Sequence, residues 1–287
     1  MRLRNLPIHP GAVYGIAKEI KTAAEDFRPI DVAGAPARTA ELRDALIEGG
    51  DREAVRDLGG KELSAYDIEG AGLLIYVIEG KRASPEDEQA LKLADRKGVE
   101  TICVLAGARA AESVDVPFVL ATNVVQVRPG EPLPVERIAE LVAERSDERG
   151  YLWAARLPVL RKHVVEHTIR RFSRQNGILG VAIFIPGADM PALTLNQIRM
   201  LFHIAAAYGE QIDRERALEI LAVVGAGFGL RAIAREALGF IPGIGWAVKG
   251  GIAYIGTQAL GRAVAAYFDA GGQRLVKEAV GSVRSRS

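Results

Sequence analysis

The sequence predicts two dissimilar halves: an α/β domain on a parallel sheet over residues 1–150, and an all-α, hydrophobic domain over residues 151–287. Three observations carry this. Two short apolar runs, Gly72-Leu-Leu-Ile-Tyr-Val-Ile78 and Thr101-Ile-Cys-Val-Leu105, flank an amphipathic stretch, the pattern of strand, helix and parallel strand with a right-handed crossover. Beyond residue 150 the texture changes to long Gly/Ala-rich apolar runs broken by single charges. Charge divides at the same place. Residues 1–150 hold 20 basic and 27 acidic side chains, net −7, whereas residues 151–287 hold 17 and 9, net +8. The expected boundary lies near Gly150, after Glu144-Arg-Ser-Asp-Glu-Arg149.

The composition is that of a globular chain, with 49% hydrophobic and 25% charged residues in 287. Full disorder, a collagen repeat and a disulfide scaffold are thereby excluded. Cys103 is the single cysteine and has no partner for an internal disulfide. The opening run MRLRNLPIHPGAVYG lacks the apolar core of a signal peptide.

In the acidic half, Ser84-Pro85-Glu86-Asp87 reads as a helix start: Ser as N-cap, Pro at the first helical position, acids in the first turn. Leu91 and Ala94 continue one face, and Gly98 ends the helix. Pro117–Leu120 and Val124–Val127 read as further strands, and Leu133–Glu144 as a closing amphipathic helix.

This order resembles the later half of a small GTPase domain, with Asp67 ahead of the Leu73–Ile78 strand. The guanine-reading motif is missing, because the second strand runs into Ala106-Gly107-Ala108-Arg109. The phosphate loop is missing too. Its nearest counterpart, Gly59-Gly60-Lys61-Glu62, has Val55 where the first Gly belongs and an acid where the hydroxyl belongs. The half therefore reads as a degenerate, GTPase-like remnant without catalytic or cofactor-binding residues. Lys81, Arg82 and Arg109, near the carboxyl ends of the strands, are the candidates for a ligand pocket there.

The basic half opens with a predicted helix from Trp153 to Gln175, whose apolar stripe is Leu157, Leu160, Val164, Thr168 and Phe172. Arg156, His163, His167, Arg170 and Arg174 line its other side, beside Arg161, Lys162 and Arg171. A basic amphipathic helix fits an anionic membrane surface or an acidic partner. We select Arg156, Arg161, Lys162, Arg170, Arg171 and Arg174 as the contacts. Nucleic acid fits less well, since no aromatic residues alternate with the cations as stacking platforms.

His163-Val-Val-Glu166-His167 matches the H-x-x-E-H zinc signature literally. Arg161, Lys162, Arg170 and Arg171 would oppose a dication there, and no third ligand follows in context, so a metal role for His163, Glu166 and His167 is rejected. Downstream, the apolar run Ile178–Ile185 is too short to span a bilayer. Thr194-Leu-Asn-Gln197 has the form of a capping box, Gly209 ends the helix it opens, and Asp213 caps the next, over Leu218–Leu230. Gly225-Ala-Gly-Phe-Gly229 lacks the strand context of a dinucleotide fingerprint.

Between Glu236 and Arg262 the only formal charge is Lys249. Pro242-Gly243-Ile-Gly245 predicts a hinge and then a helix on which Ala253, Thr257, Gly261 and Ala265 form a small-residue packing stripe. Lys249, with Arg231 and Arg235 before it, argues against two ordinary spanning helices.

The run Gly180-Val-Ala-Ile-Phe-Ile-Pro-Gly-Ala-Asp-Met-Pro-Ala-Leu-Thr-Leu-Asn-Gln197 resembles the core of the YcjF-like domain of unknown function. Ala206-Ala-Tyr-Gly209, Ile241-Pro-Gly-Ile-Gly-Trp-Ala-Val-Lys249 and Ala253-Tyr-Ile-Gly-Thr257 do so as well, and the likeness covers about residues 150–270. This bacterial family occurs beside or fused to GTPase domains. The resemblance implies a helical, membrane-associated domain on the cytosolic face of the bacterial cytoplasmic membrane, without catalytic residues or a cofactor. The expectation is a non-enzymatic accessory protein whose partners are the anionic inner-membrane surface and a GTPase or other protein. The alternatives are a cytoplasmic helical scaffold or homo-oligomer, and an enzyme using the α/β half.

Overall fold

Five parallel strands form the sheet, β1 (Ile30–Gly34), β2 (Val55–Asp57), β3 (Leu73–Glu79), β4 (Thr101–Ala106) and β5 (Val124–Val127). Their spatial order is β2-β1-β3-β4-β5, that of doubly wound α/β folds of the flavodoxin type. The protein is described by a computed structural model over residues 10–60, 63–108, 115–182, 190–212 and 246–271. Its helices there are α1 (Pro10–Glu25), α2 (Pro36–Leu46), α3 (Pro85–Arg96), α4 (Val135–Arg145), α5 (Gly150–Arg156), α6 (Pro158–Ala182), α7 (Met190–Ala207) and α8 (Trp246–Asp269). The expected helix over 218–230, its Asp213 cap, the Gly225–Gly229 run and the Pro242–Gly245 hinge lie outside the described residues.

The crossover from β3 through α3 to β4 matches its sequence signals. Ser84 accepts from the Asp87 N–H, and the Asp87 carboxylate takes the Ser84 N–H in return, a complete capping box with Pro85 in the first turn. The other Asp87 oxygen accepts from the buried Tyr76 hydroxyl at 3.0 Å. Burial, and then Asp87, push the Tyr76 phenol above its ordinary pKa. Ala90, Leu91 and Ala94 of α3 pack with Leu74, Tyr76, Ile78, Cys103 and Leu105 on one sheet face. Helices α2 and α4 touch each other, and α2 packs on β1 and β2.

Strands β1 and β2 carry no strong sequence signal, since β1 buries a carboxylate. The register sets Asp31 opposite Arg56, whose guanidinium meets both carboxylate oxygens at 2.7 and 2.6 Å. That bidentate pair makes a charge tolerable in a strand with no exposed residue.

Residues 117–120 form a turn rather than a strand. The Val119 N–H reaches the Val116 carbonyl at 3.3 Å, with Phe118 at φ 64°. Pro117 presets the second turn position and has no N–H for a ladder. The helix expected from Trp153 to Gln175 is instead two, because Pro158 forces Leu157 into extended backbone (φ −119°, ψ 97°) and starts α6 afresh.

The chain divides into two compact units at Val164/Val165 rather than near Gly150. The reason is local to the α/β unit, Ala24–Val164. The Trp153 indole donates to the Arg28 carbonyl at 2.8 Å, and the Asp51 N–H donates to the Arg156 carbonyl at 2.9 Å. Residues just past Gly150 therefore close the α/β core.

The other unit takes α1 up to Ala23 together with residues from Val165 onward. Contacts of α6 with α8 run in opposite senses, Ile169 at Gly261 and Gly177 at Gly250 and Tyr254, so these helices are antiparallel. Gln197 meets Thr257 and Tyr208 meets Asp269, so α7 and α8 run parallel. Helix α7 starts before the expected capping box, since Pro191 serves its first turn. Thr194 and Gln197 thus lie within the helix, and Gln197 is buried. Gly209, at φ 83°, lies just past the end of α7, as expected. Among the described residues, no helix is long and apolar enough to cross a membrane.

Candidate functional site

Helix α8 presents the feature most open to a partner. Its small-residue stripe turns inward: Ala253, Thr257 and Gly261 are buried and Ala265 is half-buried. A Cβ on Gly261 would stand 2.6 Å from the Ile169 side chain, and one on Gly250 would stand 2.8 Å from the Gly177 carbonyl oxygen. The missing side chains are what let α6 approach α8. On the opposite face Ile255 is 66% and Ile252 39% exposed, beside exposed Gly251, Gly256, Ala263 and Ala266. Arg262 is an exposed cation on that face.

Of the cations selected from the sequence, Lys162, Arg170 and Arg174 are exposed on α6 at four-residue spacing, with Glu166 in the same row and Ile178 at its end. Arg161 and Arg171 are half-buried, and the Arg171 guanidinium lies 5.1 Å from the Phe172 ring centroid. Arg156 is half-buried in the α/β unit. It stacks 3.7 Å above the Phe27 ring and pairs with Asp51 at 3.4 Å.

The zinc-like motif is not assembled. His163 Nε2 sits 2.8 Å from the Glu136 carboxylate, and Glu166 points to solvent. Among the described residues, no three His, Cys, Asp or Glu side chains are placed to hold a metal.

At the carboxyl ends of the strands, β1 passes into α2 through Ala35 alone, a connection too short to wrap a phosphate. Gly34 (φ 112°) closes that turn, and a Cβ there would collide with the Val77 carbonyl. Lys81 and Arg82 are exposed beyond Gly80; Arg109, Lys61 and Glu62 lie outside the described residues. A cleft of about 470 Å³ opens instead at the amino ends of the strands, floored by Trp153 and Ile68. There Arg149 pairs with Asp26 at 2.9 Å, and Arg145 lies 3.9 Å from Glu100 with its buried Nε lacking a hydrogen-bond partner.

Sequence reasoning missed a buried polar junction among α6, α7 and α8. Asn196 donates to Asn176 at 2.7 Å, and Asn176 and Gln197 both donate to the Thr257 hydroxyl at 2.8 and 3.1 Å. His203 lies nearby, its ring 5.5 Å from that of Phe172. Burial, and then the Arg171 and Arg199 charges, push its pKa down to about 3. The available signal was five amide, hydroxyl and imidazole residues on largely apolar helix faces.

No family model matches the chain, and no curated protein matches it. Among solved structures it is similar to RecJ in complex with Mn2+ from Thermus thermophilus, at 13% identity and a TM-score of 0.27. The match covers 93% of this chain and 40% of that protein's chain. A likeness at that TM-score carries no argument about fold or chemistry here.

Proposed function

We propose that this chain is a non-catalytic accessory protein of the YcjF-like family that docks on the anionic cytosolic face of a bacterial membrane and offers its α/β unit to a protein partner. The observation that carries the reading is the division of α8 into a locked face and a free apolar face. Ile252 and Ile255, flanked by glycines, supply apolar area for shallow insertion, and Arg262 supplies a headgroup contact. The exposed α6 cations Arg170 and Arg174 add attraction of about 1 kcal/mol each near anionic lipid. Peripheral docking of this kind needs no spanning helix.

The test is flotation of the full-length protein with phosphatidylglycerol vesicles, before and after a high-salt wash. Salt-resistant flotation that Ile255→Asp abolishes supports the α8 contact. Flotation lost in salt leaves only the cations as contacts. No flotation defeats the membrane reading. A mass that rises with concentration, and reverts in Ile255→Asp, would then assign the same face to homo-oligomerisation.

A further inference from the structure

The cleft at the amino ends of the strands lies wholly within the α/β unit, and its volume of about 470 Å³ is that of a small-ligand site. Its floor is apolar. Trp153 and Ile68 are buried there, with half-buried Leu152 and Val99 beside them. The Trp153 indole N–H is already taken by the Arg28 carbonyl. An apolar group entering the cleft therefore meets hydrocarbon and an aromatic ring rather than an unfilled donor.

The charges on the wall divide into engaged and unengaged groups. Asp26 accepts from Arg149 at 2.9 Å and has Arg28 at 3.8 Å. Glu100 accepts from the Asn123 amide at 2.9 Å, and at 3.9 Å it lies beyond hydrogen-bond reach of the Arg145 Nε. Arg145 directs Nη2 to the Thr122 hydroxyl at 3.1 Å, which leaves its buried Nε without an acceptor. Among the described residues, no ion pair or side-chain hydrogen bond engages Lys97, Glu69 or Asp147, all exposed and all lining the same cleft. Two cations and two carboxylates thus keep unfilled capacity around one apolar floor. A ligand of one sign would satisfy one pair and stand against the other. A ligand carrying both signs on an apolar body satisfies all four.

We infer that this cleft binds a free amino acid with an apolar side chain as its zwitterion. Arg145 and Lys97 take the carboxylate, Glu69 and Asp147 take the ammonium, and Trp153 and Ile68 receive the side chain. The site goes beyond the membrane reading and uses no residue of α6 or α8, so either can fail without the other.

The experiment is calorimetric titration of the full-length protein with L-leucine, L-methionine and L-phenylalanine, and then with the N-acetyl and amide derivatives of whichever binds. The site predicts saturable binding of at least one amino acid, and affinity about tenfold lower for each derivative, since one removes the ammonium and the other the carboxylate. Arg145→Gln and Lys97→Gln should each weaken the amino acid about tenfold and leave the amide unchanged. Glu69→Gln and Asp147→Asn should weaken it similarly and leave the N-acetyl form unchanged. Asn tolerates the left-handed backbone that Asp147 adopts at φ 47°, and Lys97 and Glu69 are exposed, so these three variants keep the fold. No binding of any of the three amino acids overturns the inference. Equal affinity for the parent and both derivatives does so too, since it describes an apolar slot indifferent to charge. An N-acetyl form as tight as the parent would make this an anion site and overturn the zwitterion. Amino-acid binding without flotation retains this site while the membrane reading fails, and flotation without amino-acid binding does the reverse.

Discussion

Asn176 on α6 donates its side-chain N–H to the Thr257 hydroxyl on α8 across 2.8 Å and 81 positions of sequence. The same oxygen accepts from Gln197 of α7, so one threonine ties three helices. Among largely apolar helix faces, these directional bonds set which turns lie side by side.

Thr257→Val keeps the shape and removes the acceptor, leaving two buried amides without it. Loss of about 2–4 kcal/mol in the helical unit is expected, measured by urea unfolding followed by circular dichroism. Thr257→Ser keeps the oxygen and should cost about 1 kcal/mol, the value of a buried methyl. Equal losses in the two variants would show that the hydrogen bonds contribute nothing.

Acid should weaken the helical unit through His203. Its folded pKa of about 3 lies below its ordinary value of 6.5, so below pH 6.5 the unfolded chain binds the proton and the folded one does not. Stability present above pH 6.5 is therefore lost as pH falls from 6.5 toward 3, at up to about 1.4 kcal/mol per unit. Unfolding midpoints from pH 7 to pH 4 should show this slope in the native protein and a shallower one in His203→Gln.

In the α/β unit, Arg56→Met strands the Asp31 carboxylate, which is fully buried. Removal of one partner of such a pair costs about 3–5 kcal/mol. The double variant Asp31→Asn with Arg56→Met should recover much of that loss in denaturant titration. A double variant no better than Arg56→Met alone would mean that packing of the arginine stem, not charge, sets the cost.

Gly34→Ala tests the turn between β1 and α2. The backbone there is left-handed, and the added Cβ meets the Val77 carbonyl. A loss above about 2 kcal/mol is expected, against a gain of about 0.5–1 kcal/mol for the same change at Gly256, an exposed helix position with open space around it. Thermal midpoints of the two variants provide the comparison.

Local chemistry settled a good deal before any tertiary contact was considered. The apolar runs of β3 and β4, the Ser84–Asp87 cap and the break after α7 at Gly209 each depend on residues within a few positions, and each is where the sequence places it. The inward stripe of α8 was also legible, because periodicity assigns a face whatever the neighbour is. The surroundings of the selected cations differ for the same reason. Arg170 and Arg174 follow the helix period to solvent, whereas Arg156 is held by Phe27 and Asp51, residues more than a hundred positions away.

Tertiary structure decided the rest, where a residue's role depends on what faces it. Asp31 argues against a strand until Arg56 lies opposite in the register. Gln197 looks like a cap until Pro191 starts the helix earlier and Thr257 takes its amide. The boundary moves past Gly150 because Trp153 completes the α/β core through the Arg28 carbonyl. A single sequence specifies periodicity and capping locally, but the pairing of buried polar groups is a property of surfaces that meet only after folding.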